Sequence, residues 1–590
     1  MRGKHILPAL VALFLGFQVM NAVPAYPGKF TVTQPDGTRL ELRRVGDEWA
    51  HWLVDAAGRM VRQDEDGFYR IVSDAEADAI RLRAFERRAS RRSVQEQTRR
   101  MARAGRKAVE GRQHFLVILV EFSDLSFKGD DPNQAFSALM NEPGYSVNGG
   151  TGSARDFYYD NSHGVFDPVF DVYGPVRMKE KYSYYGRNIG ENDAHPEEAV
   201  AKGCEGLDDE IDFSLYDNDG DGKADLVFMY YAGYGEADHS DSNTIWPHQW
   251  ELTSAGIDLV LDGVRIDSYA CSNELVGYGS MSGKLTGIGT ACHEFGHAMG
   301  LPDFYDTDYT TNGEAGALYS YSTMCDGSYN NEGRTPPYFN FEERMLLGWV
   351  SESDYLEFEK SGRYTIPPID ENVAYRTFTD MDGEYFIYEN RTRTGWDRYV
   401  PAEGMVVYHV DKSSRRVRIG FGSMTAHDLW TYWKETNSIN ENGSHPCFYI
   451  VPAANQTSLR VYNERGIPFP NGNVNTYVPM SWNRVEGDVT FSGIAFSGDL
   501  VSLQARVYTG DLNHATIADP GSYKAGDRFN FGLVFNEDEV ETPAAVSWYF
   551  DDEPVRADSV TLTAGAHTVE AVLTLADGSR EVVTLEIEVE

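Results

Sequence analysis

One run of seventeen residues, Thr290 to Asp306 (TACHEFGHAMGLPDFYD), constrains this chain more than any other. On a helix, residues four apart share a face, so His293 and His297 can grip one metal ion. Glu294 then stands beside that metal without being forced to ligate it, where a general base belongs. A bare HExxH string also fits an amphipathic helix with two satisfied histidines, but the residues just past the second histidine argue against that. Gly300 can take a left-handed conformation and end the helix, and Pro302 prevents it from resuming. The turned chain can bring Asp303 back over the metal as a third ligand, with Asp306 as its rival. Three protein ligands leave the fourth position open to water, as a catalytic zinc requires and a structural one does not.

At 590 residues the chain exceeds what one core supports, and three or four domains are expected. There are 52 basic against 91 acidic residues, a formal charge of −39, with 13% aromatics. That aromatic content supplies sizeable cores, so the acidity does not imply disorder. A strongly acidic globular chain is poorly suited to nucleic acid or anionic membranes, and neither partner is expected. Residues 1–25 read as a secretory signal. Arg2 and Lys4 give the positive end, and Ile6 to Val19 is an apolar run too short to span a bilayer comfortably. Val23 and Ala25 provide small residues before a cut, and Ala22 is another candidate. The expected product is exported, extracellular and not inserted in a membrane after signal removal. Five cysteines (Cys204, Cys271, Cys292, Cys325, Cys447) allow at most two disulfides and match no zinc-knuckle spacing. Cys292 and Cys325 are expected to be neighbours in space, and burial as small apolar residues serves as well as pairing.

The fold class read from the chain is multidomain: an α/β (α+β) peptidase domain between a β-rich propeptide and C-terminal β-domains. Residues 26–80 carry short alternating segments broken at Asp36-Gly37 and Asp66-Gly67, as a small β-rich unit does. Residues 81–112 form a basic linker. Between Arg81 and Lys107 stand eleven basic residues against Glu86 and Glu96, in the position of a propeptide's activation segment. No cysteine lies here, so a propeptide covering the metal must use an acidic side chain or steric cover. Residues 113–350 alternate strands (Phe115 to Phe122, Gly164 to Val176, Leu226 to Tyr231) with helices (Ser153 to Ser162, Pro196 to Glu205), closing on a helix from Pro336 to Trp349. Residues 351–510 show only strand patterns, such as Glu384 to Glu389 and Gly404 to Val410, and read as a β-sandwich. Residues 511–590 have the size and strand set of one immunoglobulin-like module.

Asp217, Asp219, Asp221 and Asp225 fall at positions one, three, five and nine of an EF-hand-like loop, with Gly222 at the sharp turn. Clustered carboxylates repel unless a cation neutralises them, so a structural calcium ion is expected. Position twelve is Phe228, so a further ligand must come from elsewhere, and Glu236 and Asp238 are the nearest candidates.

With Met324 closing a Ser-Tyr-Ser-Thr-Met segment, HExxHxxGxxD resembles the metzincin arrangement of metal helix, glycine turn, third ligand and methionine turn. The commonest version has His where this chain has Asp303. The chain is more closely similar to the immune inhibitor A family of secreted bacterial zinc endopeptidases, over roughly His114 to Val410. The shared pieces are Gly152 to Tyr158 with Asn161-Ser162, the Asp-Gly loop, Ile245-Trp246-Pro247-His248, His293 to Asp306, Gly348-Trp349, Glu389 to Arg391 and Tyr408 to Asp411. The resemblance implies catalytic zinc, calcium-supported stability, an N-terminal propeptide removed by an activating protease, and protein or peptide substrates. In that reading Glu294 takes a proton from the zinc-activated water and returns it to the leaving amine. Met324 would form an apolar floor, and Tyr321 or Tyr329 could face the oxyanion, although aromatic packing explains either. The alternative, from another class, is a catalytically silent peptidase-like secreted adhesin or binding protein.

Overall fold

The computed structural model describes residues 23–47, 51–64, 66–83, 109–189, 192–238, 241–307, 317–419, 422–437, 439–509, 515–519, 521–535, 543–551, 553–574 and 580–590. The expected signal up to Ala22 and the basic tract from residue 84 to residue 108 lie outside them. The described chain is multidomain and mixed α/β, with many sheets and few helices.

Five strands open the fold as an antiparallel meander: β1 (Lys29–Thr33), β2 (Arg39–Gly46), β3 (His51–Asp55), β4 (Met60–Gln63) and β5 (Tyr69–Ile71). The two Asp-Gly turns lie between strands as expected, Gly37 and Gly67 taking φ of 85° and 83°.

The central sheet contains β6 (Gly111–Glu121), β7 (Phe166–Arg177), β8 (Val227–Tyr234), β9 (His248–Glu251) and β10 (Ser268–Leu275), in the order β9-β10-β8-β6-β7. Four strands are parallel, and β9 runs antiparallel at one edge. The apolar run in β6 has the burial its pattern demands. Phe115, Val117 and Leu119 enter one core, and Leu116, Ile118 and Val120 enter the other. The first core holds α1 (Pro132–Asn141), α2 (Ala154–Asn161) and the metal-motif helix α4 (Gly289–Met299). The second holds α3 (Pro196–Glu205). Helix α1 adds to the expected set: the Asp131 side chain accepts from the Gln134 amide at its start, and Phe136, Leu139 and Met140 form its buried face.

The closing helix is shorter than expected. Pro336 and Pro337 stay outside it, and α5 (Phe341–Leu346) begins at an Asn340–Glu343 capping box. Strands β11 (Tyr375–Phe378), β12 (Glu384–Arg391), β13 (Gly404–Asp411) and β14 (Phe448–Val451) form a sheet whose Tyr385, Ile387, Val406 and Tyr408 share the first core with the central domain. One helix, α6 (Ala426–Thr436), interrupts a region whose sequence patterns are all strand. Farther on, the strand Leu500–Thr509 pairs with the final strand Arg580–Val589 through Tyr508 and Thr509, so one sheet runs on into the last module.

A buried guanidinium staples the central domain to the sheet behind it. Arg391 of β12 donates to Asp397 at 2.6 and 2.7 Å, to the Tyr338 carbonyl at 2.8 Å and to the Tyr408 hydroxyl at 3.0 Å. Both charges are fully buried, and removing Asp397 leaves Arg391 with Glu389, at 3.5 Å, as its one carboxylate partner among the described residues. Asp397→Ala is expected to destabilise the fold by about 3–5 kcal/mol, seen as a lower denaturant midpoint. An unchanged midpoint would contradict the staple.

Candidate metal centre

Helix α4 sits where it does because two glycines let the following chain close in. A Cβ on Gly289 would come within 1.9 Å of the Ser328 carbonyl oxygen, and one on Gly296 within 2.6 Å of the Met324 sulfur. Gly296 stands between the two histidines in sequence, so the fully buried Met324 packs against the helix at their level. Gly300 ends the helix at φ 109°, its amide donating to the Gly296 carbonyl at 3.0 Å, and the Leu301 amide does the same at 2.9 Å.

That reversal delivers Asp303 to the histidines. His293 Nε2 and His297 Nε2 are 3.1 Å apart, and Asp303 Oδ1 lies 3.2 and 3.3 Å from them. His293 Nδ1 faces the Thr323 carbonyl at 2.8 Å, and His297 Nδ1 faces the Leu301 carbonyl at 2.9 Å. Each Nδ1 must therefore carry the proton, leaving both Nε2 atoms as bare lone pairs. Three lone pairs meeting in the interior repel one another unless a cation lies between them. Ligands about 2.0–2.1 Å from a tetrahedral metal stand about 3.3–3.4 Å apart, close to these separations. Asp303 Oδ1 has no hydrogen-bond partner, while its Oδ2 accepts from Asn437, whose Oδ1 accepts from the Asp303 amide at 2.7 Å. Asp306 is buried but is not among the converging donors.

Glu294 is buried beside this triangle, and burial pushes its carboxyl well above the usual range, partly opposed by a hydrogen bond from Val23. Its Oε1 accepts from the Val23 amide at 2.7 Å, and its Oε2 has no hydrogen-bond partner. A stretch of the chain's own N-terminal part thus lies in the cleft. The Val23 carbonyl accepts from the Trp246 indole at 3.1 Å, and the Pro24 carbonyl accepts from the Tyr329 hydroxyl at 2.6 Å. Ala25 donates to Gly46 at the end of β2 at 2.8 Å, and Tyr26 stacks on Tyr278 with ring centroids 3.6 Å apart. An acidic side chain or steric cover is what the sequence suggests at this point. The segment covers Glu294 with main chain and not with an acidic side chain: the contact is a backbone N–H, made by a residue that falls within the expected signal.

Other predicted positions divide. Asp217, Asp219 and Asp221 converge, whereas the Asp225 Oδ2 turns to Asn218, accepting from its side chain at 2.7 Å. Glu236 and Asp238 do not join that loop: Glu236 pairs with Arg44 and His51 of the N-terminal meander, and Asp238 accepts from the Gly277 amide. The Tyr321 hydroxyl is engaged with Ala402, leaving Tyr329 as the tyrosine that reaches the cleft. All five cysteines are free and buried, Cys292 and Cys325 in the same core. Two site residues escape sequence reasoning, Trp246 and Asn437. Trp246 lies in one of the family-like pieces, but no spacing rule points to Asn437.

Residues 101–345 match the family profile described as immune inhibitor A peptidase M6, catalytic domain. Over this segment the chain is similar to a peptidase M6 catalytic domain. Among curated relatives, Pre-pro-metalloprotease PrtV of Vibrio cholerae serotype O1 is 25% identical over 272 residues, 39% of this chain and 29% of that protein. Immune inhibitor A of Bacillus thuringiensis subsp. alesti is 25% identical over 306 residues, 44% of each chain. The chain thus spans less than half the length of the curated relatives it matches. A solved structure of wild-type OgpA from Akkermansia muciniphila aligns over 82% of this chain and 94% of its own at 10% identity, with a TM-score of 0.22 that carries no argument. A peptidase M6 domain implies a bound metal, typically zinc, and the three converging donors fit one.

Asp303→Ala should strip most of the zinc found by elemental analysis, while Asp306→Ala keeps it. Equal zinc in the two variants would remove Asp303 from the ligand set.

Proposed function

We propose that the chain is a secreted zinc-dependent endopeptidase held latent by its own N-terminal segment. The observation that carries this reading is the polypeptide already lying in the cleft: an amide on Glu294, and carbonyls gripped by Trp246 and Tyr329. Zinc held by His293, His297 and Asp303 supplies a Lewis acid that acidifies water and polarises a scissile carbonyl. Glu294 is the base that takes the water's proton and passes it to the leaving amine. Tyr329 and Trp246 hold the carbonyls of a bound chain.

The inhibitory segment includes Val23, Pro24 and Ala25, so signal removal after Ala22 is the cut that preserves latency. Residues 26–80 then serve as the propeptide body and residues 81–112 as the linker cut on activation by a further protease. Residues 113–350 form the catalytic unit, followed by β-domains over 351–510 and 511–590. Substrates are proteins or peptides. Calcium at Asp217, Asp219 and Asp221 stiffens the approach to β8. Local amides also donate to these carboxylates, as the Asp221 N–H does to Asp217 at 3.0 Å. Asp225 contributes by orienting Asn218.

Chelator-sensitive casein cleavage is expected after a cut between residues 81 and 107 and should vanish in Glu294→Ala. In the uncut chain, deleting Val23 to Ala25 removes the donor on Glu294 and should raise residual activity about tenfold, the worth of one charge-assisted hydrogen bond. Equal inertness of the cut wild type and Glu294→Ala would defeat the peptidase reading, and unchanged activity in the zymogen lacking Val23 to Ala25 would defeat the latch alone. Calcium should raise the melting temperature of the wild type but not of Asp219→Ala; equal rises in both would deny calcium that loop.

A further inference from the structure

Next to the reaction centre lies an acidic pocket that the peptidase chemistry does not use. Glu236, only 1% exposed, follows β8. Its Oε1 receives Asn188 at 3.2 Å, and its Oε2 has no partner. Two further carboxylates flank it. Asp193 accepts from the Trp246 amide at 2.8 Å and Asp238 from the Gly277 amide at 3.0 Å, and each keeps one buried oxygen without a partner. One wall is the indole of Trp246, the ring whose N–H already holds the chain in the cleft.

A cation from the N-terminal module fills this pocket. Arg44 of β2 donates from one guanidinium nitrogen to both the carbonyl of Glu236 at 2.8 Å and its Oε1 at 3.1 Å. The guanidinium carbon lies 5.9 Å from the centre of the Trp246 ring. His51 of β3 stacks on that ring at 4.7 Å and brings its Nε2 to 3.3 Å from Glu236. Among the described residues, both ion-pair partners of Glu236 belong to the segment that activation removes. A buried carboxylate stripped of its cations is costly, so the activated protein is left with a site built for a positive charge. A carboxylate and a carbonyl oxygen beside an indole suit a guanidinium better than an ammonium.

We infer that the Glu236–Trp246 pocket is a specificity subsite for an arginine, and less strongly a lysine, side chain of the polypeptide substrate, which Arg44 occupies in the latent chain. This rests on the peptidase reading and adds the preference that reading lacks. The eleven basic residues between Arg81 and Lys107 offer the same chemistry to a second, activated copy of the chain.

The test uses the activated protein and peptides in which arginine, lysine, glutamine or norleucine is placed in turn at each position flanking the cleaved bond. At one position arginine should raise kcat/KM about tenfold over norleucine, and Glu236→Gln should shrink that ratio to near unity. The wild-type ratio decides the matter even where Glu236→Gln does not fold. Efficient cleavage with no basic preference at any position would overturn the subsite and leave the peptidase standing. A second arm needs no turnover: activated Glu294→Ala should bind N-acetyl-argininamide and not N-acetyl-norleucinamide in calorimetry. Equal affinity for the two, or calcium binding in place of the arginine probe, would overturn the subsite whether or not the protein cleaves peptides.

Discussion

The structure turns on three lone pairs brought within 3.1–3.3 Å of one another in the protein interior. Such a cluster is unfavourable without a cation, and several separate elements hold it in place. Carbonyls of Thr323 and Leu301 fix both imidazole tautomers, and glycine at 296 admits the Met324 side chain. The third donor depends on a distant region. Asp303 is held by reciprocal contacts with Asn437, just beyond α6, and the same stretch binds Thr307 and the Phe304 carbonyl. The family match ends at residue 345, so the matched segment does not contain everything its own centre needs.

That dependence explains the buried charge between the central and following sheets. Ser322, which accepts the Met324 amide at 3.0 Å, donates to Glu343 of α5 at 2.5 Å. Nearby, Arg391 ties the carbonyls of Tyr321 and Tyr338 to Asp397. Burying these groups costs desolvation that an apolar interface would avoid. In exchange the hydrogen bonds are directional and fix the methionine-bearing turn and the Asn437 stretch in one register, where apolar packing would tolerate sliding.

What is legible in the sequence is local. His293 and His297 follow from helical spacing, and the Gly300–Pro302 reversal follows from backbone sterics. The β6 run is readable because burial on both faces leaves no polar alternation. Asn437 is not legible, because an asparagine 134 residues from its partner makes a tertiary contact that no period encodes. Helix α6 is hidden by its Trp, Tyr and Thr content, which resembles a strand, although Thr425 and Asp428 cap its start reciprocally at 2.9 and 3.1 Å. Asp225 fits the loop spacing yet turns to Asn218, since position along a loop does not fix side-chain direction.

The N-terminal contact is illegible for a different reason: it is made by backbone. An N–H of Val23 donating to Glu294 occupies an oxygen of the carboxylate that would accept a proton from water. In the proposed reading a productive substrate leaves that carboxylate free for water, and the same grip on the carbonyls by Trp246 and Tyr329 serves inhibitor and substrate alike. The difference lies in what reaches Glu294. A side-chain latch would place a recognisable residue at a fixed spacing, whereas a backbone latch can be built from Val-Pro-Ala and leaves no mark. Its recognisable part is the anchoring elsewhere, in charged side chains of the N-terminal meander set against carboxylates of the central domain. Arg44 against Glu236 is such an anchor, a specific buried ion pair one indole ring away from the segment on Glu294.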